Sequence, residues 1–545
     1  ASNIVHVGYQ AGSNATGSNN TFVGSEAGKG GTTSAPFSSG QNNTALGYQA
    51  LTGFTTGNLN VSIGIQSGES STTAYRNVYL GPYAGRYNTT GLGNIFIGYE
   101  AGKGASGVGA AHTYNVGIGY QSLERIRTGA HNIAIGTFAG GYMDEGDYNV
   151  LLGNSAGNAI TDGDSNVAIG YQSGVSMTTP SYNTYLGFQS GYRNVVGADN
   201  VAVGREAGEN ATGSYNTFVG SQAGKGGTDS APYSSGQNNV ALGYQALSGF
   251  TTAEGNVAIG YQAGNDITTG GNNVFIGKLA GDLLTTGTNN VVVGSGALGS
   301  ADGLERENVV IGQGTAGSIN NDSAIRNVFI GEYAGLGGTG ALNYSVAIGY
   351  NALRSTGTSN SSGIVAIGYE AGKNVTSGTK NVAVGYQAGD TITNGDTNTL
   401  IGYNADVSTT AAASQIVIGP DLTGTANGRV HIGGSTAHIY NDHGSNATWT
   451  HSSDRRQKKD IKKDTLGLDF INDIEPVTYK HKSPSEFPKE WTSYDADKTE
   501  PMGGDKTIHG LIAQDVKEAL DKQGVDTFSG WDVNPDGRQQ VSFEA

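Results

Sequence analysis

A nine-residue phrase of alternating apolar and small residues recurs along most of the chain. Its clearest copy spans 256–264, where Asn-Val-Ala-Ile-Gly is followed by Tyr-Gln-Ala-Gly. Val257 and Ile259 are β-branched and alternate with a small alanine, which predicts a short strand whose Val/Ile face lies in a dry interior. Gly260 is predicted to turn the backbone or to allow close approach of another chain segment.

The spacing of the copies predicts the architecture. The strand-ending glycines between residues 8 and 419 are most often 17 residues apart, and insertions stretch some intervals to between 18 and 23. A fixed period of this size is typical of a solenoid in which each turn contacts only its neighbours. One turn buries few apolar side chains for the backbone it must order, so we expect an oligomer with a shared apolar interior.

An asparagine stands four residues before most of these glycines, as Asn256 does before Gly260. Asparagine tolerates left-handed backbone, so it could serve only as a turn residue. Its amide could also bond the turns above and below in a ladder. The two interpretations are compatible, and the pattern does not separate them.

The second half of each repeat is polar, as in Thr268-Thr269-Gly270, and is predicted to form a water-facing strand and a turn. Tyrosine often follows the strand glycine, as at Tyr244 and Tyr261. Such a stripe could stack on sugars, although aromatic residues at this spacing more often pack against one another between turns.

Residues 1–60 and 197–256 are near copies at an offset of 196 residues, which indicates duplication of a block of turns. The longer intervals between repeats predict loops on the outside of the solenoid, because an insertion within a stacked strand would break its register. These loops are either candidate ligand contacts or solvated decoration. They lie at 29–41, 103–113 and 225–237, with Phe37, Tyr114 and Tyr233 as their aromatic residues.

Composition excludes several classes of protein. Glycine makes up 90 of 545 residues but does not fall at every third position, which excludes collagen, and the regular alternation argues against disorder. There is no cysteine, hence neither disulfides nor thiolate metal sites. The net charge of −16 argues against nucleic acid as a partner, and no apolar run reaches the roughly 20 residues of a membrane span.

Residue chemistry outside the repeats offers few catalytic or binding signals. No cofactor motif is present. Histidines 431, 438, 443 and 451 could hold a metal, but their spacing is not that of a ligand set, and solvated or hydrogen-bonded histidines are the alternative. Glu305 and Glu307 show no repeated pairing of the kind a glycosidase needs. The chain opens inside a repeat with no signal peptide, so we expect an anchoring region before Ala1.

With its Asn-x-x-Ala-Ile-Gly repeats, the segment 3–420 resembles the head region of trimeric autotransporter adhesins. This resemblance implies a trimeric parallel β-roll. We therefore predict an all-β shaft, a trimeric parallel β-solenoid of about 17-residue repeats, over 1–419, followed by a transition segment at 420–452.

Composition changes abruptly at residue 453, because 14 of the 30 lysines and arginines fall in the last 93 residues. An amphipathic helix is predicted at 466–472, a strand at 476–480, and a strand turning into a helix at 509–516. The final segment, 453–545, is therefore predicted to be a small α+β domain.

Three motifs of this domain carry a second resemblance: Ser-Asp-x-Arg-x-Lys from Ser453, then Pro-Val-x-Tyr, then Gly-x-Ile-Ala-Gln-Asp-Val. They resemble the self-cleaving intramolecular chaperone domain of phage tailspikes, tail fibres and endosialidases. The resemblance implies trimerisation, with Ser453 as nucleophile and Lys458 as base for cleavage of the Ser452–Ser453 bond. Gln457 stands where that family usually has an apolar residue. The family continues beyond the position of Ala545 into a coiled-coil helix, so the domain is expected to be truncated.

Together these observations predict a homotrimeric virion fibre or spike that attaches to a glycan or protein receptor on the host cell surface. Its N-terminal region would dock to the virion or to another surface anchor, with no membrane insertion. The alternative is a bacterial adhesin or extracellular filament with the same terminal domain. A hydrolase acting on an external substrate lacks a candidate active site.

Overall fold

The structure is a computed structural model that forms two compact units, 1–377 and 378–545. It describes residues 2–31, 37–105, 110–227, 230, 232–301, 303–319, 324–338, 342–355, 357, 361–436, 438–442, 466–491, 493–501, 505–526, 528, 530–534 and 536–541.

The first unit is a β-solenoid in which each copy of the repeat forms one three-residue strand. The strands are β1 Val5–Val7, β2 Thr21–Val23, β3 Thr44–Leu46, β4 Val61–Ile63, β5 Val78–Leu80, β6 Ile95–Ile97, β7 Val116–Ile118, β8 Ile133–Ile135, β9 Val150–Leu152, β10 Val167–Ile169, β11 Thr184–Leu186, β12 Val201–Val203, β13 Thr217–Val219, β14 Val240–Leu242, β15 Val257–Ile259, β16 Val274–Ile276, β17 Val291–Val293, β18 Val309–Ile311, β19 Val328–Ile330, β20 Leu342–Asn343, β21 Val346–Ile348, β22 Ser361–Ser362 and β23 Val365–Ile367.

Strands of successive repeats pair in parallel and in register. For example, Val257 lies opposite Val274, and Ile259 lies opposite Ile276. The two-residue strands β20 and β22 form a separate parallel pair. The predicted all-β solenoid with a period of about 17 residues is confirmed.

The glycine that ends each strand is required by the backbone and by the neighbouring turn. Gly260 has φ of 137°, a conformation that L side chains rarely adopt. A Cβ atom there would lie 2.5 Å from the carbonyl oxygen of Gly277 in the next turn. Within the same turn Gln262 and Asn272 also have positive φ, of 52° and 58°. The chain therefore closes each turn through left-handed positions.

The asparagine ladder is confirmed. Asn256 is fully buried, and its side-chain amide donates to Asn239 Oδ1 of the preceding turn at 3.2 Å and to the carbonyl of Gly270 at 3.0 Å. Its backbone N–H donates to the same Asn239 oxygen at 3.0 Å. The positive φ falls on neighbouring residues such as Asn272, immediately before the ladder residue Asn273. The ladder asparagines therefore satisfy buried backbone groups from one turn to the next.

The prediction of which strand face is interior was wrong for the single chain. The middle residue of each strand points inward, so Ala258 and Phe275 are fully buried. Val257 and Ile259 point outward and are only half-buried. Alternation in β15 places these two side chains on the face opposite Ala258.

The polar half of the repeat does not form the predicted second strand. Residues 267–270 are a bend, in which Ile267 is fully buried and Thr269 is exposed. The polar residue Thr268 has a structural role in this bend, since its hydroxyl donates a hydrogen bond to the carbonyl of Thr285 in the next turn at 3.0 Å. The core of a turn is thus built from the strand centre, the alanine at Ala263 and the apolar residue at Ile267, all fully buried.

The second unit begins with further parallel turns and ends in a small α+β domain, as predicted. Its elements are β24 Val382–Val384, β25 Thr399–Ile401, β26 Ile416–Ile418, β27 Arg429–Gly433, β28 His438–Asp442, α1 Leu468–Asp473, β29 Val477–Tyr479, a 3₁₀ turn at Pro484–Glu486, β30 Ile508–Gly510, α2 Ala513–Lys522, β31 Trp531–Val533 and β32 Gln539–Val541. Strands β24 to β27 pair in parallel, and β28 returns antiparallel to β27.

Candidate functional site

An apolar face runs along the outside of the strands of the first unit, and we call the outward first and third residues of each strand the strand face. Its leucine, isoleucine and valine side chains are unusually exposed to solvent. Leu46, Leu80 and Leu242 expose 46%, 43% and 46% of their surface, and Ile133 and Ile135 expose 39% and 40%. Large contiguous apolar patches on soluble proteins mark interaction sites. The strand face is therefore the main candidate assembly surface of the solenoid.

The tyrosines that follow the strand glycines form a stacked ladder beside this face. Ring centroids of Tyr99 and Tyr120 lie 5.2 Å apart with planes at 10°, and those of Tyr244 and Tyr261 lie 5.6 Å apart at 19°. A ring whose face is covered by the ring of the next turn offers mainly its edge and hydroxyl to solvent. This geometry supports packing between turns over a sugar-stacking stripe.

Two buried tyrosines and their hydrogen-bond partners were not predicted from the sequence. Tyr79 and Tyr185 occupy inward strand positions, and burial raises the pKa of both hydroxyls. Asn88 and Asn194, each seven residues after the strand glycine, donate their amides to these hydroxyls. Most other turns carry an apolar residue at that position, such as Ile267. The joint appearance of tyrosine and asparagine was the sequence signal that could have revealed the pairs.

Two buried histidines lie in solenoid cores. His112 is fully buried with its ring edge-on to Phe96, and burial lowers its pKa to about 3. His431, the inward residue of β27, is 1% exposed and shares a 3.2 Å hydrogen bond with the Thr425 hydroxyl. Burial, then the nearby His438, lowers the pKa of His431 to about 4. The described residues contain no group of three or more His, Asp or Glu side chains arranged to hold a metal.

The predicted loops carry their aromatic residues in different settings. Phe37 is 44% exposed, and Tyr114 is 50% exposed and stacks on His131 at 5.1 Å. Tyr233 is half-buried and lies against the guanidinium of Arg193 at 5.3 Å from the ring centroid. Parts of the three loops lie outside the described residues.

The C-terminal domain has its own small core. Phe470 of α1 packs with Val516, Ala519 and Leu520 of α2, all at most 7% exposed. Strands β29 and β30 pair antiparallel, with Thr478 opposite His509. The predicted helix at 466–472, the strand at 476–480 and the strand–helix at 509–516 are confirmed as α1, β29, and β30 with α2.

Residues 453–525 match the protein family described as the chaperone of endosialidase. The chain carries an endosialidase-type chaperone domain. The match begins at Ser453 and includes α1, β29, β30 and α2. With the β-solenoid before this domain, the protein is tail-fibre-like in organisation. A search of curated proteins finds no match to this chain.

The proposed cleavage site lies outside the described residues. Ser452, Ser453 and Lys458 all fall there, as do His443 and His451, so the roles of the serine and lysine stay predictions.

In the described part of the chaperone domain, α1 has an exposed apolar edge at Leu468 and Ile471, which expose 77% and 61% of their surface. No described helix is long and apolar enough to cross a membrane.

Proposed function

We propose that this protein is the shaft of a homotrimeric fibre or spike that serves host attachment, and that its chaperone domain trimerises the chains and then cuts itself off. The observation that carries the proposal is the order of parts, because the chaperone match directly follows a β-solenoid with a bare strand face. The expected location is the virion, where the fibre would contact a glycan or protein receptor on the host surface.

The strand face supports assembly. Most turns present two half-exposed apolar side chains, and a fully buried residue of this kind contributes about 1.5–3 kcal/mol. The described residues of the first unit form 21 three-residue strands, of which four begin with threonine, so at roughly 50 Å² of exposed area per side chain the other 17 present on the order of 1,700 Å² per chain. An area of this size is in the range of specific, stable interfaces. The proposal of three chains per fibre rests on the chaperone family, since the strand face by itself does not determine how many chains assemble.

Self-cleavage would use the neighbouring bond. Lys458 would take the proton from the hydroxyl of Ser453, whose oxygen attacks the carbonyl carbon of Ser452. The amide nitrogen of Ser453 then leaves with that proton, and water hydrolyses the resulting ester. Connectivity already supplies proximity between hydroxyl and carbonyl, so the fold need only bend the backbone and desolvate the lysine enough to lower its pKa.

Mass spectrometry of the protein extended through its natural C-terminus tests this proposal. The unmodified chain should release a C-terminal fragment beginning at Ser453, whereas Ser453→Ala should remain full length and trimeric. Lys458→Ala should slow release by about 10²–10⁴-fold, since this is the usual contribution of a positioned base.

Lys459→Ala is the matched control, because it removes an adjacent lysine of equal charge and should cleave normally. A fragment with another first residue, or equal slowing by both lysine variants, would show that the dyad is misassigned. Attachment is tested separately, since the purified fibre should compete with intact particles for adsorption to host cells.

A further inference from the structure

Arg193 is a half-buried cation with aromatic but no acidic partners. Its guanidinium carbon lies 4.8 Å from the ring centroid of Tyr192 and 5.3 Å from that of Tyr233. Among the described residues, no carboxylate lies within ion-pair distance of this guanidinium. A cation over tyrosine rings is attracted by their π-systems, but its N–H donors at the edge of the plane stay available.

In the described part of the solenoid, several other arginines, though not Arg125, have acidic partners. Arg86 pairs with Glu69 at 2.6 Å and Arg326 with Glu307 at 2.6 Å. In the next turn, the main-chain carbonyl of Glu209 accepts a hydrogen bond from the backbone N–H of Arg193. The carboxylate of Glu209 lies instead against Lys225 at 3.1 Å. The neighbouring acid is thus engaged by another cation.

The second ring comes from one of the predicted ligand-contact loops. Ser234, next to Tyr233, forms a parallel bridge with Ala211, and the duplicated segment repeats this bridge between Ser38 and Ala15. The counterpart of Tyr233 in that segment is Phe37, and no described arginine lies over its ring. The duplication therefore provides one loop with the arginine and one without it.

We propose that Arg193, Tyr192 and Tyr233 form a binding subsite for the carboxylate of an acidic polysaccharide. A guanidinium presents parallel N–H donors that match a carboxylate bidentately. Two phenol rings beside it supply apolar surface for the C–H face of a sugar and hydroxyls for hydrogen bonds. The subsite lies beyond the turn at Gly187 and does not use the strand face. This inference names a ligand class for the proposed attachment function and rests on it.

Binding of polygalacturonate oligomers to the full chain, measured by isothermal titration calorimetry at low and high salt, tests the subsite. The oligomers should bind, more weakly at high salt, and their methyl esters should not, because esterification removes the carboxylate charge. Arg193→Gln should weaken binding by about tenfold or more, and Arg193→Lys should restore only part of it, since lysine keeps the charge without the fork.

Arg125→Gln is the matched control, since Arg125 lies over the single ring of Tyr142 at 4.2 Å and should not contribute. Thermal melts of all variants should coincide with that of the unmodified chain. Absence of binding, equal binding of the methyl esters, or equal losses in the Arg125 and Arg193 variants would overturn the subsite. None of these outcomes would alter adsorption competition, so failure here is distinct from failure of the attachment function.

Discussion

Charge placed at three positions of one repeat distinguishes the inside of the solenoid from its strand face. Ala258 is fully buried, and its register partners are Ala241 and Phe275. Ala258→Asp would enclose a carboxylate with no cation to pair with it. Uncompensated buried charges cost about 3–5 kcal/mol, so this variant should unfold the turns around β15 in every chain.

Ile259→Asp should behave differently. Its counterparts in the adjacent turns, Leu242 and Ile276, expose 46% and 37% of their surface, so a carboxylate at residue 259 stays hydrated in a single chain. In a trimer it would bring one charge per chain to the interface and remove about 0.6–1.2 kcal/mol of apolar burial per chain. Thr269→Asp lies on the exposed bend and should cost no more than about 0.5 kcal/mol.

Light scattering and hydrogen exchange separate these effects. The unmodified chain and Thr269→Asp should give about three times the 55.7 kDa chain mass. Ile259→Asp should lower that mass while exchange in β15 stays slow, and Ala258→Asp should speed exchange in β14 to β16. The reasoning fails if Ile259→Asp assembles as the unmodified chain does while Ala258→Asp exchanges no faster than Thr269→Asp.

Three other substitutions follow from single contacts. Gly260→Ala should destabilise its turn by about 1–3 kcal/mol or more, because the backbone φ is 137° and the new Cβ would meet the Gly277 carbonyl. Chemical denaturation of a fragment that contains this turn measures the loss. Tyr185→Phe should cost about 1–3 kcal/mol in melting experiments, because one N–H of the buried Asn194 amide loses its acceptor while the amide keeps its bond to the Gly197 carbonyl; an unchanged melting temperature would refute the pairing. Burial lowers the pKa of His112 to about 3, so only the unfolded chain binds a proton there between about pH 6.5 and 3, and the free energy of unfolding falls by about 1.4 kcal/mol per pH unit in that window. Protection factors in its turn, which correct hydrogen exchange for its intrinsic pH dependence, should fall at pH 5, and His112→Leu should remove that dependence.

Periodicity was sufficient to predict the strands and the solenoid, because each needs the same residue at the same place in every turn, and it offered the ladder as one of two interpretations of the asparagines. It was not sufficient to orient the strand. In Asn-Val-Ala-Ile-Gly both faces are apolar, and the small alanine of Ala258 gives no sign that it is the inward residue. The informative turns are those with Phe22, Phe96 or Phe275 at the centre, since rings of that size are fully buried there. A comparison of the central strand residue across many turns would have identified it as the residue that points into the core.

The buried half of the polar segment was missed for a related reason. Ile267 is a single apolar residue among threonines and glycines, which does not produce an alternation over several residues. Its burial depends on the tight left-handed turn through Gln262 and Gly264, a conformation that local pattern does not reveal. The C-terminal elements were easier, since α1 and α2 carry conventional amphipathic spacing.

A solenoid of near-identical turns has difficulty aligning one chain with another. Most strands carry valine, isoleucine or leucine at the same two outward positions, and residues 1–60 nearly duplicate 197–256. Two chains displaced by one turn would therefore match almost as well as two aligned chains, apart from the bare turns left at each end. The asparagine ladder does not correct such an error, because its bonds run between turns of one chain. A domain that holds three chain ends level before the turns assemble would remove this degeneracy, and a chaperone at the terminus of the solenoid is in the right place to do so. In the proposed trimer, the interface would preserve the register once the chains are aligned, and the domain could then be cleaved off without loss of the shaft.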